Sequence, residues 1–304
     1  MSHIIEIKNL KKYFGNTKAV DDISFSVEEG ELFAFLGLNG AGKSTTINIL
    51  VGVLQRDSGE CFVNNQSVDD MSKILPNIGI VFQSSVLDKK LSVYDNLRYR
   101  AMLYGMNKKE FEKNLEYFVD KLDLKTILKK QLDKLSGGQK RKVDIVRALL
   151  HKPKILILDE PTTGLDPKTR KLVWDMINEL RKTTNLTVLL TTHYMEEASV
   201  ADNVVIIDGG KIVAEGSPLT LKNRFASDYI KAYKYDKKLL EVLQNSNIPY
   251  KKERQVLEIK FKNTEEAKIF LVENNALFKD IEIVKGSMDD VFLSVTGKEL
   301  KENI

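Results

Sequence analysis

A single cysteine, Cys61, stands in the 304-residue sequence. No internal disulfide can form, and the chain fits a reducing compartment such as the cytosol. No run approaches the roughly 20 consecutive apolar residues that a membrane-spanning helix needs. The opening Met1-Ser2-His3-Ile4 also lacks the basic-then-apolar pattern of a secretory signal. A role at a membrane therefore requires another protein to hold the chain there. The net excess of charge is small too: 47 basic side chains face 43 acidic ones, a formal net charge of +4. That balance nominates neither nucleic acid nor an acidic surface as a partner. Repeats and low-complexity tracts are missing. What remains is an ordinary globular composition, 42% hydrophobic, at a length that accommodates about two domains.

Short apolar runs alternate with longer amphipathic stretches through the first two-thirds, at Leu32 to Leu36, Ile78 to Phe82, Ile155 to Leu158 and Thr187 to Leu190. Continuous rather than alternating apolar runs indicate strands buried on both faces, as in a mostly parallel sheet covered by helices. The fold class is α/β. Between about Ser84 and His151 strand signals stop, and Leu115, Phe118, Val119 and Leu122 share one helical face, so an all-helical insert is expected there. The pattern breaks near Ser217-Pro218 and again over 223–228, which places a first domain at 1–226 and a second at 227–304. In the tail, strand-like Tyr229 to Tyr235, helical Lys237 to Gln244 and the alternation of Leu257, Ile259 and Phe261 are followed by two candidate helix caps. These are Asn263 with Glu266 and Ser287 with Asp290. The order suggests a small α+β, ferredoxin-like module with a terminal helix.

Gly37-Leu38-Asn39-Gly40-Ala41-Gly42-Lys43-Ser44-Thr45 follows the strand-like run to Leu36 and opens the helix-like Thr46 to Val53. Such a loop turns successive backbone N–H groups onto phosphate oxygens at the positive end of a helix. Lys43 supplies a cation for the terminal phosphates, and the Ser44 hydroxyl suits magnesium. Ile155-Leu156-Ile157-Leu158-Asp159-Glu160 reads as a buried strand ending in two carboxylates. Adjacent strand residues face opposite ways, so the two acids have different tasks: Asp159 toward magnesium, Glu160 orienting and deprotonating the attacking water. Leu135-Ser136-Gly137-Gly138-Gln139 precedes the helix-like Lys140 to Leu150. It makes a second anion site by the same physics. One nucleotide has no use for two such sites in one chain; the economical reading is that this one completes the pocket of a second copy.

At this point the sequence resembles the ATP-binding subunits of ABC transporters, in motif type, order and approximate spacing from residue 1 to about 220. Gly37 to Thr45 corresponds to the family's Walker A loop, Leu135 to Gln139 to its signature, and Ile155 to Glu160 to its Walker B strand. Gln83 fits the Q-loop glutamine, which touches magnesium and links the ATP site to the membrane partner. Thr162-Thr163-Gly164-Leu165-Asp166 resembles the D-loop, whose aspartate communicates across the dimer, and His193 resembles the switch histidine at the γ-phosphate. Phe14 fits the aromatic that stacks on adenine, with neighbouring Tyr13 a competitor for the role. The tail is similar to the extension of ABC-2-type exporter ATPases, on the strength of Ser287 to Leu293 and Thr296-Gly297. Members of that group commonly carry methionine where this chain has Gln139.

The resemblance implies ATP and Mg2+ as cofactors and hydrolysis coupled to transport, with export favoured by the tail. It further implies a second ATPase subunit, a separate ABC-2-type membrane-spanning permease, no nucleic-acid partner, and a place on the cytoplasmic face of the membrane through that permease. The rival reading is a soluble ABC-type ATPase acting on ribosomes or nucleic acid. Such proteins usually carry paired cassettes or long heptad insertions, and the sequence has neither.

Overall fold

The computed structural model describes residues 3–162 and 164–298, and the chain divides into two compact units, 1–212 and 213–304. The first unit opens with β1 (His3–Phe14), β2 (Thr17–Glu28), β3 (Leu32–Leu36) and α1 (Lys43–Leu50). β4 (Ser58–Val63), β5 (Gln66–Ser67), α2 (Met71–Ile74) and β6 (Ile78–Val81) follow. Three helices come next, α3 (Val93–Leu103), α4 (Lys108–Leu122) and α5 (Gly137–Leu149). The chain then returns to alternation through β7 (Ile155–Asp159), α6 (Pro167–Thr184), β8 (Thr187–Thr192), α7 (Met195–Ser199) and β9 (Asn203–Asp208), and β10 (Lys211–Gly216) straddles the division.

Two sheets result. One is antiparallel, in the order β2-β1-β4-β5. The other runs β10-β9-β3-β8-β7-β6, with β9 through β6 each parallel to the next. Every residue of β3, β7 and β8 is buried, which is why these strands read as unbroken apolar runs rather than alternations. Phe25 of β2 stacks on Phe33 and Phe35 of β3 at 5.2 Å between centroids, so the two sheets share one core. The parallel order aims the C-terminal ends of β3, β7 and β8 at one rim, where ligands bind in open α/β sheets.

The insert expected over 84–151 is helical, with one isolated bridge, Ser92 to Gln131, among the described residues. α4 shows why: Asn107 and Glu110 form a capping box at its start, and Phe111, Leu115, Phe118 and Leu122 bury one stripe. Val119, expected on that face, is half-buried at its margin.

The second unit carries α8 (Pro218–Phe225), β11 (Asp228–Tyr235), α9 (Lys238–Asn245), β12 (Tyr250–Glu253), β13 (Val256–Phe261), α10 (Thr264–Glu273), β14 (Phe278–Val284) and α11 (Met288–Thr296). Its sheet is antiparallel throughout, in the order β12-β13-β11-β14. That is the ferredoxin-like split βαβ arrangement. Both tail caps form, Asn263 Oδ1 accepting from Glu266 N at 2.9 Å and Ser287 with Asp290 closing a capping box. The division falls between Ile212 and Val213 rather than at residue 226. The reason is local: α8 packs against the terminal helix α11, burying Leu221, Val291 and Phe292, so the residues before 226 go with the tail.

Candidate nucleotide-binding and catalytic site

The loop Gly37 to Gly42 joins the C-terminal end of β3 to α1. Two of its glycines are demanded by space and backbone. A Cβ on Gly37 would lie 2.5 Å from Ile207 O, and one on Gly42, which sits at φ 112°, would lie 2.3 Å from Ala19 O. Asn39 and Gly40 form the exposed crest, and Ser44 opens outward from the first turn with Thr45 half-buried behind it. Lys43 is 4% exposed, its Nζ donating to Gly37 O at 2.7 Å and Leu38 O at 3.0 Å. Burial pushes the Lys43 pKa down, and the carboxylates of Glu160 and Asp159 oppose that shift.

The two Walker B acids part company as their strand positions require. Asp159 Oδ1 accepts from Ser44 Oγ at 3.3 Å and from Thr191 Oγ1 on the neighbouring strand. Glu160, one residue past β7, is 8% exposed and adopts φ 48°, a left-handed conformation that costs a non-glycine residue roughly 1–2 kcal/mol. Its backbone N–H donates to Thr191 O at 3.1 Å. Its carboxylate lies where three sequence-distant groups converge. Oε1 is 3.1 Å from His193 Nδ1 and 3.9 Å from Lys43 Nζ, and Oε2 accepts from Gln83 Nε2 at 3.1 Å.

The structure thus brings Lys43, Ser44, Gln83, Asp159, Glu160 and His193 together. Other predicted residues stand apart. Ser136 N-caps α5, its Oγ accepting from Gln139 N at 3.3 Å while Gln139 Oε1 accepts from Ser136 N at 3.1 Å. Ser136 and Gly137 are exposed, and a methyl group on Gly137 would meet nothing within 4 Å. Gly138 has ordinary contacts only. Among the described residues no hydrogen bond or ion pair joins Ser136 to Gln139 with the phosphate loop. Asp166 is also exposed and caps α6 by accepting from Thr169 N at 3.0 Å, and hydrogen bonds from the Thr169 side chain first and its backbone second hold the Asp166 carboxyl below the usual range; Thr163 lies outside the described residues. Of the two aromatic candidates, Tyr13 commits its hydroxyl to Asp21 at 2.6 Å, whereas Phe14 is half exposed with Lys12 Nζ 5.5 Å from its ring centre.

Three residues escaped the sequence reading. Thr191 holds Asp159 in place, and Glu197, buried on α7, accepts from Thr162 Oγ1 and Thr192 Oγ1 and so ties the start of the D-loop to the residue before His193. Arg141 of α5 is the third. No sequence signal marks Arg141, which stands between Lys140 and Lys142, and the partners of Arg141 and Glu197 are backbone carbonyls and hydroxyls from other elements.

The family model for the ABC transporter matches residues 20–163. The linearmycin resistance ATP-binding protein LnrL of Bacillus subtilis is 38% identical over 75% of this chain and 73% of its own length. The Nod factor export ATP-binding protein I of Cupriavidus pinatubonensis is 31% identical over 99% of this chain and 93% of its own. The chain belongs to the ABC transporter ATP-binding proteins. It is an ATP-binding and ATP-hydrolysing subunit that energises transport. Among solved structures, the dimeric post-hydrolysis state of the ATP-binding cassette MJ0796 bound to ADP and Pi is 27% identical, with a TM-score of 0.66, covering 70% of this chain and 98% of that one. The similarity to the Nod factor export subunit spans the tail as well as the cassette, so the second unit is part of what the two ABC proteins have in common.

Proposed function

We propose that this ABC ATPase binds ATP between two copies of the chain and drives export through a separate ABC-2-type permease, on the cytoplasmic face of the membrane. The convergence of His193, Gln83 and Lys43 on the single carboxylate of Glu160 carries the reading. It is the arrangement expected of a base held against a γ-phosphate and its attacking water. Lys43 and the N–H groups from Gly37 through Thr45 cradle the phosphates, with Asn39, Gly40 and Gly42 shaping the loop, while Phe14 stacks on adenine. His193 contacts the γ-phosphate. Ser136, Gly137, Gly138 and Gln139 of one copy close over the nucleotide of the other, and Asp166 speaks across the pair.

Magnesium fits the donors present. Ser44 Oγ and Asp159 Oδ1 lie 3.3 Å apart and, with the Gln83 side chain, would hold it. No cluster of three or more His, Cys, Asp or Glu side chains is assembled among the described residues. That suits an ion which takes most of its ligands from nucleotide and water. When bound, magnesium neutralises charge developing on the phosphate oxygens.

Two features support the pairing and the partner. Gly137 is a glycine that nothing within one copy requires, which is intelligible if another molecule approaches closely. On the helical insert, Tyr99, Met102 and Leu103 are exposed, as is Val86 shortly after Gln83; an apolar patch there offers the permease a seat beside the Q-loop. The export relatives favour outward transport, and the matched tail favours the ABC-2 group.

Glu160→Gln tests the reading. Turnover should fall by ~10²- to 10⁴-fold, and ATP with magnesium should then draw two molecules into one long-lived particle by light scattering. Hydrolysis at the parental rate overturns the role of Glu160.

A further inference from the structure

Arg141 lies five residues after Ser136, one turn into the signature helix α5, and is 8% exposed. Its guanidinium reaches out of the helix to four backbone carbonyls. Nε donates to Pro161 O at 2.7 Å, Nη2 to Asp159 O at 2.9 Å and Glu160 O at 2.8 Å, and Nη1 to Phe82 O. Three of these carbonyls are consecutive, and they bracket the residue held at φ 48°. The fourth belongs to the residue before Gln83. A planar, five-donor fork makes such a pattern, and a lysine ammonium cannot span it.

The backbone under the catalytic carboxylate is therefore fixed by a side chain of the signature helix. The left-handed turn at Glu160 persists only where its surroundings over-determine it, and the guanidinium supplies a large part of that constraint. The same group fixes the strand end that presents Gln83, the other side chain bonded to the Glu160 carboxylate. A shift of the α5 N-terminus acts on both partners at once.

We propose that Arg141 is a positioning residue, through which the signature helix of one copy sets the Glu160 carboxylate of that same copy for water attack. The inference rests on Glu160 as the base and on the signature meeting the nucleotide of a second copy. Given both, engagement of the signature at one site is transmitted through a single side chain to hydrolysis at the other.

The test is a double-mutant cycle in the full chain, read by single-turnover hydrolysis per bound ATP so that only folded, loaded protein counts. Arg141→Lys should lower the rate by roughly 10- to 100-fold, the scale of a 1 Å misplacement, with ATP affinity changed by less than about twofold. In the Glu160→Gln background the same substitution should cost less than about twofold, because the group it positions is no longer a base. Equal losses in the two backgrounds, or no loss in the parent, overturn the proposal. A normal rate for Glu160→Gln alone sinks the base assignment instead, so the two failures are distinguishable. Should Arg141→Lys not fold, Arg141→Gln leaves no unpaired charge in the buried site and serves in the same cycle.

Discussion

Acidification should charge His151 only well below the ordinary histidine range. His151 stacks on Tyr104 at 3.8 Å with 7° between the planes, its Nε2 bonds Ile78 O at 3.0 Å, and its Nδ1 has no partner. Burial pushes its pKa from 6.5 down to about 4; the bond to Ile78 resists and the Arg147 charge assists. Because the folded value lies below the unfolded one, the neutral ring contributes stability above pH 6.5, and that contribution is lost as pH falls toward 4. A gap of about 2.5 at roughly 1.4 kcal/mol each is about 3 kcal/mol, trimmed to about 2 kcal/mol for a ring that is partly exposed. Ring-proton NMR resolves the question, since the sequence holds three histidines and His151→Phe, which keeps the stack on Tyr104, identifies the signal by its loss. Between pH 7 and 4.5 the parent should lose about 2 kcal/mol more stability toward urea than His151→Phe does. A titration at pH 6 or above, or equal losses in the two proteins, refutes the reasoning.

Two further outcomes bear on the nucleotide. Phe14→Ala should raise KM for ATP roughly tenfold, in keeping with about 1–2 kcal/mol for a stacked ring and base, whereas Tyr13→Phe should leave it unchanged; steady-state kinetics decide, and an unaltered KM in Phe14→Ala removes that residue from the site. Gly137→Ala should hold or raise thermal stability by up to about 1 kcal/mol, as expected for glycine to alanine in an exposed helical turn. The same change should weaken ATP-driven pairing of Glu160→Gln molecules by tenfold or more, and undiminished pairing in light scattering counts against the shared site.

The strands and the insert were legible because burial on both faces and helical periodicity leave direct marks on sequence, as in the runs that became β3, β7 and β8. The phosphate loop, Asp159 and Glu160 stood out because the chemistry proposed for them restricts which residues can serve, and Gln83 and His193 through the resemblance to the family; the fold sets Gln83 and His193 against Glu160. Arg141, Thr191 and Glu197 were not, because their partners, backbone carbonyls for Arg141, the Asp159 carboxylate for Thr191 and two hydroxyls for Glu197, are brought close only by the fold. Nothing in the run Lys140-Arg141-Lys142 distinguishes the middle cation, although it alone of the three is buried. Packing also shifted the unit boundary: the break at Ser217-Pro218 is real as a helix start, with Ser217 capping and Pro218 in the first turn, but the helix it starts rests on the tail.

Three basic side chains on α5 and just after it answer a problem set by sheet topology. Among the described residues β6 is a terminal strand, bonded only to β7 in its sheet, and a terminal strand leaves one edge of backbone groups without a ladder. The carbonyls of the alternate residues Ile78, Ile80 and Phe82 accept from His151, Arg147 and Arg141 in turn, all on α5 or just beyond it. Burial depresses the pKa of all three groups, which leaves the His151 ring neutral near pH 7. Apolar residues of similar size often serve packing as well or better, so packing alone does not account for three basic side chains set along this edge. Their donors do, because each matches one carbonyl along the edge. A neighbouring strand would have locked β6 to the sheet from both sides. Side chains on and just after the signature helix instead bond β6 to α5, and Arg141, the member of the trio nearest the α5 N-terminus, also bonds the backbone at Glu160.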